Sequence, residues 1–220
     1  MPNLSLATNA VDSLAALALL AALLMVITKR MDNAVRILSF QALALAATAG
    51  AVGYFTGNRH MYLVALLTVA VKAVAIPYFT FYIIDRIGVT REVERYLSTK
   101  TSLVVAVGLV VLAYYVVEPS IVPSTLLTKN CLPVSVAMIL IGLFLMISRK
   151  KALTQMMGII VMENGLFLAA VATTYGMPLV VELGIFFDLF VGVLIMGILS
   201  FRINQTFDSI NTDRLQKLKG

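Results

Sequence analysis

Residues 61–84 read MYLVALLTVAVKAVAIPYFTFYII, twenty-four positions whose one charged side chain is Lys72. A run of this length and apolarity is long enough to cross a bilayer core of about 30 Å as a helix at about 1.5 Å per residue. Six further runs of the same kind are visible, at about Leu4 to Ile27, Ala34 to Phe55, Thr101 to Val117, Leu132 to Ile147, Gln155 to Tyr175 and Pro178 to Phe201. The chain as a whole follows this pattern. Of its 220 residues 60% are hydrophobic and only 13% charged, with a mean hydropathy of +0.97. Soluble domains are nearer a quarter charged, so the reading is an all-α polytopic membrane protein of about seven transmembrane helices.

The basic residues set the expected orientation. Fourteen fall on alternate connections: Lys29, Arg30 and Arg36; Arg86, Arg91, Arg95 and Lys100; Arg149, Lys150 and Lys151; and Arg202, Arg214, Lys217 and Lys219. The opposite connections hold only Arg59 and Lys129. Positive residues near span ends stay cytoplasmic, so the N-terminus is expected outside and the C-terminus in the cytoplasm. No basic residue precedes the first apolar run, which argues for a retained first span over a cleaved leader. The net charge of +6 therefore reads as membrane topology, with no nucleic-acid partner.

The expected organisation is a three-helix half with its cytoplasmic loop (1–100), a fourth helix with an outer connection (101–131), a three-helix unit (132–201) and a cytoplasmic tail (202–220). Thr90 can cap a short helix in the Asp85–Lys100 loop, with Glu92 and Glu94 in its first turn. No span shows an evident break, and Pro77 reads as a tolerated kink. Small residues from Ala42 to Gly50 and at Gly53 suit a closely packed neighbour. One His and one Cys, His60 and Cys131, are too few for a zinc, haem or iron–sulfur site in this chain. Neither a metal, an organic cofactor nor a catalytic site is expected here.

Chemistry is instead expected from charge at membrane depth. A charged side chain at the centre of a span costs about 2.5–3.5 kcal/mol on insertion scales. Lys72, Glu163 and Asp188 each lie roughly 12–17 Å from a membrane face by their place in the third, sixth and seventh runs. Glu182 and Asp12 are shallower. Burial and an opposite charge push a carboxylate or an amine in opposing directions, so such a set is suited to exchanging protons. Glu182 and Asp188 are separated by about 600° of helix, some 120° in angle, and so face different neighbours. The candidate ion-path residues are Lys72, Glu163, Glu182 and Asp188. A static pair that only locks helices together is the competing reading.

Met162-Glu163-Asn164-Gly165, followed by Val181-Glu182-Leu183-Gly184-Ile185 and Asp188, resembles hydrogenase-4 component E and its relatives in formate hydrogenlyase-type complexes. Lys72-Ala73-Val74-Ala75-Ile76-Pro77 resembles that family's third span, so the likeness covers nearly the whole chain. The last three spans also resemble, more distantly, the K subunit of complex I and the C subunit of multisubunit cation/proton antiporters. In that comparison Asp188 falls where the family has a glutamate in its third helix. Ile160 falls at the second-helix glutamate position, with Glu163 about one turn away. The resemblance implies a non-catalytic subunit in the membrane arm of a proton- or sodium-translocating nickel–iron hydrogenase or related respiratory complex, in the cytoplasmic membrane of a prokaryote. Its implied partners are antiporter-like and complex I-like membrane subunits and a peripheral redox module. An antiporter subunit without hydrogenase and an assembly scaffold are the alternatives.

Overall fold

The computed structural model describes residues 4–87, 96–117, 128, 130–174 and Gly192. Among these the chain is helical, without strands. The helices are α1 (Leu4–Ile27), α2 (Met31–Thr56), α3 (His60–Leu67), a π-helical segment (Thr68–Ala75) that continues into α4 (Ile76–Ile87), α5 (Thr99–Val117), α6 (Cys131–Ser148) and α7 (Ala152–Thr174). Because α3, the π-helical segment and α4 run on without interruption as one span, the described residues hold six helices long and apolar enough to cross a membrane. The chain is a multi-pass membrane protein. The seventh apolar run, the loop helix expected around Thr90, and both Glu182 and Asp188 lie outside the described residues.

Three helix ends show the local chemistry that suits them. Gly57 closes α2 with φ of +71°, a left-handed conformation that glycine adopts without a Cβ penalty. Ser98 caps α5, its hydroxyl accepting from the Thr101 N–H at 3.2 Å. Pro133 sits in the first turn of α6, where a missing N–H has no helical acceptor to lose.

Packing follows from which side chains are small. In α1 the positions Val11, Ala15, Ala18, Ala22 and Val26 are fully or nearly fully buried, an interior face at spacings of three and four. The small-residue expectation for α2 holds: a Cβ on Gly53 would lie 2.8 Å from the Met61 Cβ, so α2 and α3 touch nearly backbone to backbone. The closest contact joins α6 and α7. A Cβ on Gly142 would lie 2.5 Å from the Met162 nitrogen, one on Gly158 2.9 Å from the Gly142 carbonyl, and one on Gly165 2.8 Å from the Ile139 nitrogen. Such close approach is how helices associate where lipid removes most of the hydrophobic drive. By contrast α5 is mostly exposed, showing Val104, Val111 and Tyr115 outward.

The third span departs from the uniform α-helix that its sequence suggests. In the π-helical segment the Ile76 N–H reaches back five residues to the Val71 carbonyl. A four-residue step overshoots one α turn by about 40° and undershoots the wider π turn. Alternation of the two therefore holds Val64, Thr68, Lys72, Ile76 and Thr80 on one buried face. In an unbroken α-helix that stripe would drift around the span.

Candidate functional site: a buried ion pair with an amide chain

Lys72 lies within the π-helical segment and is 2% exposed; Glu163, on α7, is 7% exposed. They meet across the bundle. Lys72 Nζ donates to Glu163 Oε1 at 2.6 Å and lies 2.5 Å from Oε2, so the ammonium straddles the carboxylate. The ring of Phe167, one turn after Glu163, lies 4.9 Å from the same nitrogen and offers its negative face to the cation.

Position on α7 is fixed by the motif itself. Gly165 must face α6, where its missing side chain admits the Ile139 nitrogen and the Ser135 carbonyl. The two residues before it are thereby rotated toward the third span and α2. Asn164, fully buried, accepts from Lys72 Nζ with its Oδ1 at 3.2 Å. Its Nδ2 donates to Gln41 Oε1 at 3.0 Å, and Gln41 Nε2 donates to the Ala18 carbonyl at 3.1 Å. One continuous set of hydrogen bonds thus links α7, the third span, α2 and α1. Buried polar groups cost least when fully partnered, and Gln41 and Asn164 each have a donor and an acceptor.

Of the four expected ion-path residues, the structure brings Lys72 and Glu163 together; Glu182 and Asp188 lie outside the described residues. Gln41 was not singled out in the sequence, and Asn164 stood there only as part of a motif. A neutral amide in an apolar run is a weaker signal than a charge. The spacing of Gln41 from Ala42–Gly50 gave no further hint. Ile160, at the position where K-type subunits have a glutamate, is buried against the apolar core, and among the described residues the carboxylate that enters the network is that of Glu163.

Two other polar groups hold the ends of the bundle. Asp12 of α1 accepts from Asn130 Nδ2 at 2.6 Å, at the end where α6 begins. At the opposite end Arg149 is 3% exposed, and its Nη2 donates to the carbonyls of Met25 and Val26 at 2.9 and 3.1 Å. A cation there also complements the negative end of the α1 dipole. Among the described residues no three His, Cys, Asp or Glu side chains come together as a metal site.

Comparison with known proteins places the chain in a family. Residues 131–220 match the family described as NADH-ubiquinone/plastoquinone oxidoreductase chain 4L, beginning at the first residue of α6. An uncharacterised protein of Mycobacterium tuberculosis, Rv0085, is 30% identical over 210 residues, covering 95% of this chain and 96% of that protein. Hydrogenase-4 component E of Escherichia coli K12 is 24% identical over 210 residues, covering 96% of this chain and 97% of its own; the Shigella flexneri protein of that name matches equally. No solved structure matches significantly. The chain belongs to the family of membrane proteins that includes Rv0085 and hydrogenase-4 component E, with a chain 4L-type region at its C-terminal end.

Proposed function

We propose that this chain is a non-catalytic membrane-arm subunit of a proton- or sodium-translocating nickel–iron hydrogenase or a related respiratory complex, in the cytoplasmic membrane of a prokaryote. The ionisable residues of its apolar runs, Lys72, Glu163, Asp188 and Glu182, contribute to the ion path. The observation that carries this reading is the Lys72–Glu163 pair in the interior of an apolar bundle, held by a π-helical segment. Intramembrane ionisable residues are costly and mark ion and proton pathways, and π-helical turns recur at functional sites. The whole-chain similarity to hydrogenase-4 component E supports the kind of complex.

Chemically, the pair is a neutral unit that accepts one proton on a Glu163 oxygen and becomes a cation, or releases one from Lys72 and becomes an anion. Either change alters the net charge of the bundle interior, where the low dielectric makes charge count most. Electron transfer belongs to other subunits, and antiporter-like membrane subunits are the proposed neighbours.

The test uses the purified complex. Glu163→Gln and Asp188→Asn keep approximate volume and remove the titratable charge. Such complexes should assemble and reduce an artificial acceptor normally, yet lose most proton or sodium translocation in proteoliposomes. Normal translocation would defeat the ion-path role, and failure to assemble would favour a scaffold. Co-purification with nickel- and iron-containing subunits distinguishes this reading from an antiporter without hydrogenase.

A further inference from the structure

The amide chain behind Lys72 has only one possible polarity. Its far end, the Ala18 carbonyl, can only accept, so Gln41 must turn its nitrogen toward α1 and its oxygen toward Asn164. Asn164 must then present its nitrogen to Gln41, which leaves its oxygen toward Lys72. Lys72 as an ammonium can only donate. Both ends thus dictate the same orientation for two amides that would otherwise be free to flip.

Among the described contacts, Lys72 consequently meets acceptors of different chemistry on neighbouring residues of α7. One is the Glu163 carboxylate, which can lose its charge by taking up a proton. The other is the Asn164 amide oxygen, which cannot. We infer that Gln41 is a positioning residue: by fixing the Asn164 amide it gives the Lys72 ammonium a permanent second acceptor, so that Lys72 stays in place when Glu163 is neutralised. Without it, an ammonium beside a protonated Glu163 would keep, of the contacts described above, only the weaker carbonyl acceptor of the neutral acid and the face of Phe167. The inference deepens the ion-path reading and rests on it for its functional consequence, since a path that cycles Glu163 must keep the neighbouring cation from leaving.

The hydrogen bonds described for Gln41 go to Ala18 and Asn164, so packing and positioning have to be separated. Gln41→Met keeps length and approximate volume but neither hydrogen bond. Gln41→Glu keeps a C=O acceptor for Asn164. Solid-state NMR of the full chain in lipid bilayers, with ¹⁵N-labelled lysine and ¹³C-labelled asparagine and glutamate, reads the Lys72 Nζ couplings to Asn164 Cγ and Glu163 Cδ directly. The two signals are assigned by their absence in Asn164→Leu and Glu163→Gln respectively.

Gln41→Met should lose the Lys72–Asn164 coupling and keep the Lys72–Glu163 coupling, and Gln41→Glu should restore the former. Gln41→Asn, one methylene too short to span both partners, should behave like the Met variant and serves if that variant fails to fold. An unchanged Lys72–Asn164 coupling in whichever of these folds would overturn the inference, as would a Gln41→Glu chain that shows no recovery. In the assembled complex, translocation should fall in Gln41→Met and recover in Gln41→Glu. If even the wild-type complex translocates no ion, the proposed function fails while the NMR result still decides the role of Gln41.

Discussion

Lys72 and Glu163 stand ninety-one residues apart in sequence and 2.6 Å apart in space, with the lysine completely buried at its side chain. Taking two charges out of water is expensive, and their attraction repays it only when the remaining hydrogen-bonding capacity is also met. Asn164 meets part of that need for the ammonium.

A double-mutant cycle should show this coupling. Lys72→Met alone leaves a buried carboxylate uncompensated and should destabilise the chain by about 3–5 kcal/mol, less whatever is recovered by protonating Glu163. Lys72→Met combined with Glu163→Gln removes both charges and should recover about 1–3 kcal/mol of that loss. Thermal unfolding in detergent, followed by helix signal, measures all four chains. Strict additivity would show that the pair contributes no coupling.

Helix approach at the α6–α7 seam is equally open to test. Gly165→Ala places a methyl 2.8 Å from the Ile139 nitrogen and 2.9 Å from the Ser135 carbonyl, which are backbone atoms that cannot turn aside. The helices must separate, at a cost of about 1–3 kcal/mol. Separation would also move Glu163 and Asn164. Gly108→Ala in α5 has open space within 4 Å and should be neutral or slightly stabilising in the same assay.

The extent to which the sequence disclosed this arrangement varies by residue. Apolar runs bounded by charge located the six described spans to within a few positions, and α1 to both its ends, because a bilayer imposes a length that composition must satisfy. Lys72 and Glu163 stood out because charge in an apolar run is rare. The π-helical segment did not, since nothing in Thr68–Ala75 distinguishes an i→i+5 turn from an α turn until Lys72 must reach α7. Gln41 was hidden for a related reason: its partners on α1 and α7 are 23 and 123 residues away. Arg149 was counted with loop charges by its position, although it is buried against the last turn of α1.

That burial leads to a third prediction. Arg149 bridges two carbonyls with one nitrogen, and a hydrogen bond to a charged group contributes about 1.5–3 kcal/mol. Arg149→Met should lose about that much stability and loosen the end of α1, read as faster amide exchange at residues 24–28. Arg149→Lys keeps the charge but supplies a compact donor without the planar fork, and should fall between the two. Equal exchange in all three chains would show that Arg149 does not hold the helix end.

Orientation rests on the distribution of Lys and Arg, and it can be read chemically. Cys131 is buried, so in a Cys131→Ser background a single introduced cysteine reports its own side of the membrane. Lys29 ends the first span and Arg59 precedes the third; both are exposed, and the whole of α2 lies between them. The two must therefore label from opposite faces whatever the absolute orientation. If the sequence-based assignment of fourteen basic residues to the Lys29 side and two to the Arg59 side holds, Lys29→Cys should react with a membrane-impermeant maleimide only in inside-out vesicles. Arg59→Cys should react in intact cells with the outer membrane permeabilised. The reverse pattern would invert the topology, placing the N-terminus in the cytoplasm and the Asp12–Asn130 end of the bundle with it.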